Sequence, residues 1–105
     1  MDVHLSAQAR VELFGIGKWI ERESPTQAAI FVEDLYAACM SLGEGPKAFP
    51  LLPRHPESGI RRRPYRNYLI FYTVLKRVEI LHVIHGARNY EDILFPTKLH
   101  SLPPR

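Results

Sequence analysis

The sequence predicts an α+β domain: an N-terminal strand, then an antiparallel helical hairpin packed on a C-terminal antiparallel sheet. Three observations carry that reading. Apolar residues recur at helical spacing through the first forty or so positions. A proline-rich stretch then interrupts all periodicity. Beyond it, "YLIFYTVL" and "VEILHVIH" are dense in β-branched and aromatic residues, as strands are. At 105 residues and 46% hydrophobic content, the chain suffices for one domain with one core.

Taken in order, Val3–Leu5 is a short strand, and Ser6 is placed to cap a helix beginning at Ala7. Ala9, Leu13, Ile16 and Ile20 form one apolar stripe on that helix, expected from Ala7 to Glu23. Gly15 and Gly17 lie inside it, each costing about 1 kcal/mol relative to Ala, so packing compensates or something approaches closely there. Ser24, Pro25 and Gln27 fit the N-cap, first and third positions of a second helix. Its stripe is Ala28, Val32, Leu35, Cys39 and Leu42, with Gly43 as its stop. So short a turn between the two makes an antiparallel hairpin.

Four prolines in the seventeen residues 43–59 exclude a regular element, and an ordered surface loop is expected. Pro64 confines "IRRRPY" to a sheet edge. Along Tyr68–Leu75, strict alternation puts Tyr68, Ile70, Tyr72 and Val74 on one face, and Leu69, Phe71, Thr73 and Leu75 on the other. Along Val78–His85 it groups Val78, Ile80, His82 and Ile84 against Glu79, Leu81, Val83 and His85. Lys76-Arg77 connects them tightly without the usual glycine. Strands apolar on both faces lie centrally, covered on each side, one side by the hairpin. Residues 1–95 make the domain, and the proline-broken 96–105 a frayed tail.

Apolar runs are too short to span a bilayer, so no membrane role is expected. The start "MDVHLSAQAR" lacks the features of a signal peptide, which places the expected location in the cytoplasm. The single cysteine, Cys39, excludes an internal disulfide and a cysteine zinc site, and its helical stripe predicts a buried, inert thiol. Residues 1–44 carry three Lys/Arg against seven Asp/Glu, and residues 45–105 eleven against four, giving halves of −4 and +7. A basic half fits an acidic partner, nucleic acid or protein.

Four features are candidates for function. His82 and His85 lie three apart in a strand and so face opposite ways, which argues against a shared metal ion. His85 beside Arg88 fits either proton transfer or a strand-end contact with a partner. Arg61, Arg62, Arg63 and Arg66 form the densest basic cluster, either a charge-protected edge or a surface for carboxylates or phosphates. Val11, Phe14, Ile30 and Met40 fall off both core stripes and together fit a surface that a partner covers.

Three stretches, "VHLSAQARVEL", "AAIFVEDLYAACMSLGEGP" and "GIRRRPYRNYLIFYTVLKRVEILHVIHGAR", resemble in order the landmarks of the RelE/ParE toxin superfamily, from Val3 to about Phe95. These are toxins of bacterial type II toxin–antitoxin, or plasmid stabilisation, modules. The most specific part is "YLIFY" followed by "VEILHVIHGAR". RelE-like members cut mRNA on the ribosome, and ParE-like members poison DNA gyrase. The strand arginine of RelE-like toxins falls on Leu69 and their C-terminal tyrosine near Leu94, so the ParE branch fits better. The resemblance implies a gyrase inhibitor without cofactor or catalytic residues of its own. A cognate acidic antitoxin, ParD-like or similar, would neutralise it, in a higher-order toxin–antitoxin complex. Within that reading, target contact is expected at His85, Arg88, Arg63 and Arg66, and the off-stripe and basic residues Val11, Phe14, Ile30, Met40, Arg61 and Arg62 are expected to meet the antitoxin. The alternatives are an mRNA endonuclease using Arg66, His85, Arg88 and Tyr90, and a degenerate remnant that only binds antitoxin.

Overall fold

The structure, a computed structural model, describes residues 1–96; the expected frayed tail, 96–105, lies outside the described residues except for Pro96. Strand β1 (Val3–Leu5) leads into helices α1 (Ala7–Glu21) and α2 (Pro25–Met40), the latter extended by a 3₁₀ turn at Ser41–Gly43. Strands β2 (Arg61–Tyr65), β3 (Tyr68–Val74) and β4 (Val78–His85) come next, then a short helix α3 (Tyr90–Leu94) that the sequence reading did not place. The fold is α+β, as expected. The sheet order is β1-β4-β3-β2, antiparallel except that β1 runs parallel to β4, Val3 opposite Val78 and Leu5 opposite Ile80.

Both helices start where the capping residues place them. Ser6 accepts from the Ala9 amide and Ser24 from the Gln27 amide. Gly17 lets the helices close up: a Cβ there would lie 3.1 Å from Val32 Cγ2. Gly43 ends the second helix for a different reason from the one expected. Its φ is not left-handed; instead the N-terminus crosses it, with the Met1 ammonium donating to the Gly43 carbonyl at 3.0 Å, and any side chain there would strike the Met1 backbone.

The hairpin buries Ala9, Leu13, Ile16, Leu35, Cys39 and Leu42 against Ile70, Tyr72, Val78, Ile80 and Val83 of the sheet. The opposite face is covered by the proline-rich stretch and α3: Leu52, Ile60, Phe71 and Ile84 are buried there, with Leu69, Leu81, Ile93, Leu94 and Phe95 packed around them. The stretch read as a surface loop therefore contributes core. It is bound to the sheet by the Leu51–Arg61 bridge and by bonds from the Leu52 and Arg62 amides to Ile60 and Pro50.

Two strand assignments need correction. Leu75 is not in β3: Val74 pairs with Val78, so the turn is three residues long and Leu75 stands 83% exposed at its tip. In β4, Tyr72 faces Ile80 while Phe71 faces His82, so Leu81 is an extra, bulged residue. The alternation shifts there. Val83 joins Val78 and Ile80 under the helices, and Ile84 joins Leu81 on the far side, the reverse of the strict-alternation reading. Among the described residues, no helix is long and apolar enough to cross a membrane.

Candidate functional site

Past Leu5 the chain leaves the sheet for α1, and β4 loses its neighbour at the bulge. Side chains take over the edge. The Ser6 amide donates to the Ile80 carbonyl at 2.9 Å, and Ser6 Oγ to the Leu81 carbonyl at 2.9 Å. Glu12 Oε1 accepts the Val83 amide at 2.7 Å, and Glu12 Oε2 lies 2.8 Å from His82 Nδ1. With its side chain only 14% exposed, this carboxylate acts as a surrogate strand that clamps α1 to β4. His82 is thereby occupied, and among the described residues no three His, Cys, Asp or Glu side chains are grouped to hold a metal ion.

Beyond the clamp, β4 delivers His85 and Arg88. Gly86 donates to the Asn67 carbonyl at 2.7 Å, where a Cβ would lie 3.3 Å from that oxygen, so the turn after β4 sits tightly on the β2–β3 turn. Arg66, in that second turn, has a left-handed φ of 53°, and its guanidinium rests over the Tyr65 ring. Arg66 and Arg88 therefore flank one end of the sheet. His85 Nδ1 accepts from the Ala87 amide at 3.0 Å, which leaves the proton of the neutral ring on Nε2. The His85 ring meets the edge of Tyr68 at 5.2 Å between centroids. Arg88 is exposed and makes no side-chain hydrogen bond or ion pair among the described residues. With Glu12, Gly15, Trp19, Tyr68 and Val83, these two line a groove of about 580 Å³ between α1 and the strand end.

The other anticipated residues are distributed differently. Arg61 donates to the Phe49 carbonyl at 2.7 Å, Arg62 to the Tyr90 hydroxyl at 2.9 Å, and Arg63 to the Ala38 carbonyl at 2.7 Å and Ser41 Oγ at 2.8 Å. These three half-buried arginines tie β2 to the proline-rich stretch, α3 and the C-terminal end of α2, where a cation also meets the helix dipole favourably. Tyr90 stacks on Phe71 at 5.0 Å on the far face of the sheet, among Leu69 and Leu94. The structure thus brings His85, Arg88 and Arg66 to one end, while Arg63 and Tyr90 turn elsewhere.

On the hairpin, Val11, Phe14, Ile30 and Met40 are all exposed, but only Phe14 lines the apolar groove between α1 and α2, with Ala29, Val32 and Tyr36. Gly15, Trp19, Glu12 and Tyr68 were missed by sequence reasoning. The first three were findable: spacings of three and four put Glu12, Gly15 and Trp19 on one helical face beside the core stripe.

Burial sets three of the perturbed ionisations. It pushes the Cys39 thiol from 9.0 up to about 12, against a smaller opposing pull from Arg63, and it raises the Tyr68 and Tyr72 phenols. Glu79 is lowered, first by its hydrogen bond with His4 at 2.7 Å.

The family described as "ParE toxin of type II toxin-antitoxin system, parDE" matches residues 3–90. No match appears among curated proteins. Among solved structures, the chain is similar to one titled "Chromosomal ParDE TA system from P. aeruginosa", with a TM-score of 0.68 and 17% identity, over 81% of this chain and 95% of that one. That likeness speaks to the fold. The family match spans β1, the helical hairpin and the whole sheet through His85 and Arg88, as the resemblance implied, and the chain belongs to the ParE toxin family of type II toxin–antitoxin systems.

Proposed function

We propose that this toxin acts by binding, inhibiting DNA gyrase through the sheet end that carries His85, Arg88 and Arg66, with no bond-breaking chemistry of its own. The observation that supports the reading is the separation of one nuclease candidate, Tyr90, from the end of the sheet that gathers His85, Arg88 and Arg66. RNA cleavage needs a base, an acid and cations converging on one phosphate. Here Tyr90 packs on the far face of the sheet with Leu69 and Leu94, while His85 has its Nδ1 turned back onto the Ala87 amide. Arg88, without a hydrogen-bond or ion-pair partner for its side chain among the described residues, fits an interface contact, where arginines are often hot spots.

Neutralisation by an acidic, ParD-like antitoxin completes the reading. Its apolar residues would cover the hairpin at Val11, Phe14, Ile30 and Met40, and its carboxylates would meet the rim of Arg61 and Arg62. The complex would assemble in the cytoplasm, where the target is. Purified protein added to a gyrase supercoiling assay tests the proposal. Loss of supercoiling, with mRNA on programmed ribosomes left intact, is the expected result. Codon-specific cleavage of that mRNA would establish the endonuclease instead, and inactivity in both assays with antitoxin still bound would mark a remnant.

A further inference from the structure

Five aromatic rings and three arginines gather at the end of the sheet where the target contact is proposed. On the side facing the helices, Tyr65, Phe31, Tyr68 and His85 touch in sequence, with centroids 6.3, 5.6 and 5.2 Å apart. Trp19, 65% exposed, stands on α1 at the groove that Tyr68 and His85 also line. Between these walls is Gly15, whose missing side chain leaves open space: a Cβ there would meet nothing within 4 Å. Arg22 lies over the Trp19 ring at 4.8 Å and Arg66 over the Tyr65 ring at 5.7 Å, while Arg88 is at the groove itself. None of the three has a carboxylate partner among the described residues, unlike Lys18, Arg54 and Arg77, which do.

We infer that this groove is a stacking site for single-stranded DNA, with Trp19 and the Tyr68–His85 pair receiving bases and Arg22, Arg66 and Arg88 tracking the phosphates. Two exposed rings, Trp19 and His85, backed by the half-buried Tyr68 and flanked by cations without carboxylate partners, are what a sequence-tolerant single-strand site needs, because every base has a π-face and every nucleotide a charge. The one acidic side chain lining the groove, Glu12, has both oxygens engaged by Val83 and His82, so it is not a partner that competes for the arginines. An acidic peptide would satisfy the arginines by charge alone, whereas the spacing of rings and cations matches the repeat of base and phosphate. The inference rests on the proposed function only for the placement of the target contact: a toxin that stalls gyrase with an opened strand would meet DNA at this end.

The sequence has one tryptophan, so the emission of Trp19 reports on the groove directly. Titrating the full chain with a short oligothymidylate, with no gyrase present, should quench that emission saturably, and the affinity should fall as salt rises. Trp19→Ala should weaken binding of a labelled oligonucleotide about tenfold and Trp19→Phe only slightly. Arg88→Gln should weaken it and reduce the slope of log K against log salt by about 0.7. Lys76→Gln, an equal charge loss at the opposite end of the sheet, should change affinity less than twofold. If Trp19→Ala does not fold, as judged by its melting curve, Trp19→Phe and Arg88→Gln still decide the matter. No quenching at low salt, an equal effect of Lys76→Gln and Arg88→Gln, or a preference for RNA of the same sequence would overturn the inference. So would tighter quenching by a glutamate-rich peptide. Gyrase inhibition can stand or fail independently, because the titration omits the enzyme.

Discussion

Glu12 shows how much one side chain can decide in this protein. It replaces a missing strand at the β4 bulge, satisfying the Val83 amide and holding His82 from a position nearly closed to solvent. The helical pattern places it beside the core stripe but gives no sign of the clamp, because its partners lie about seventy residues away in β4. Removing it leaves a buried donor unmade, which costs roughly 1–3 kcal/mol. Glu12→Ala should lower stability by about that much in a denaturant titration and speed hydrogen exchange at the Val83 amide; a loss under about 0.5 kcal/mol would show that the clamp is dispensable. Cys39 is the opposite case, a residue whose fate was legible from its place on an apolar stripe. Its thiol is held protonated by burial up to about 12, against 9.0 ordinarily. The folded state therefore keeps its proton where the unfolded state loses it, so this contribution is complete below about pH 9 and declines as pH rises toward 12. Native protein at pH 8 should resist a maleimide and react only after denaturation, and Cys39→Ala should flatten the alkaline decline in stability. Rapid labelling of the native thiol would contradict this.

The helices were the most legible elements, because stripes, caps and a proline at the first position all agree on the same boundaries. The sheet was less so. Strict alternation assigned β4 correctly up to Ile80 and then failed, since a bulge adds one residue without any sequence marker such as glycine or proline. Leu75 was drawn into β3 by its hydrophobicity, though register leaves it at the turn. Leu35 on α2 is fully buried against the sheet, and Leu35→Ala should cost roughly 2–5 kcal/mol in a denaturant titration. A loss below about 0.5 kcal/mol would mean that the hairpin is not packed through that stripe. On the outer side of the hairpin, Phe14 and Ile30 are exposed on different faces. Phe14→Asp or Ile30→Asp should weaken antitoxin binding at least tenfold in titration calorimetry while leaving the melting temperature near that of the parent. Unchanged affinity in both variants would remove the hairpin from the antitoxin site.

At the scale of the molecule, the charge asymmetry acquires a structural meaning. Most of the basic half forms the sheet side, and five of its arginines fall into two groups with different work. Arg61, Arg62 and Arg63 serve inside the fold as ties between β2, the proline-rich stretch and the helices. Arg66 and Arg88 are left outward at one end, with His85 and Trp19 near them. The sequence pointed to His85 and Arg88 because a stiff strand stops there, but it could not separate tying arginines from free ones, which depends on contacts 12 to 28 residues apart along the chain. If toxicity is a binding event, Arg88→Ala should relieve growth arrest, while His85→Gln, which keeps size and some hydrogen bonding, should remain toxic. The most direct measurement is to induce the protein, Arg88→Ala and His85→Gln in cells and monitor chromosome integrity and transcript ends over time. We expect double-strand DNA breaks to appear before any change in mRNA, with Arg88→Ala abolishing them and His85→Gln retaining them. Truncated mRNAs appearing first, and disappearing in His85→Gln, would contradict a binding toxin and establish a nuclease.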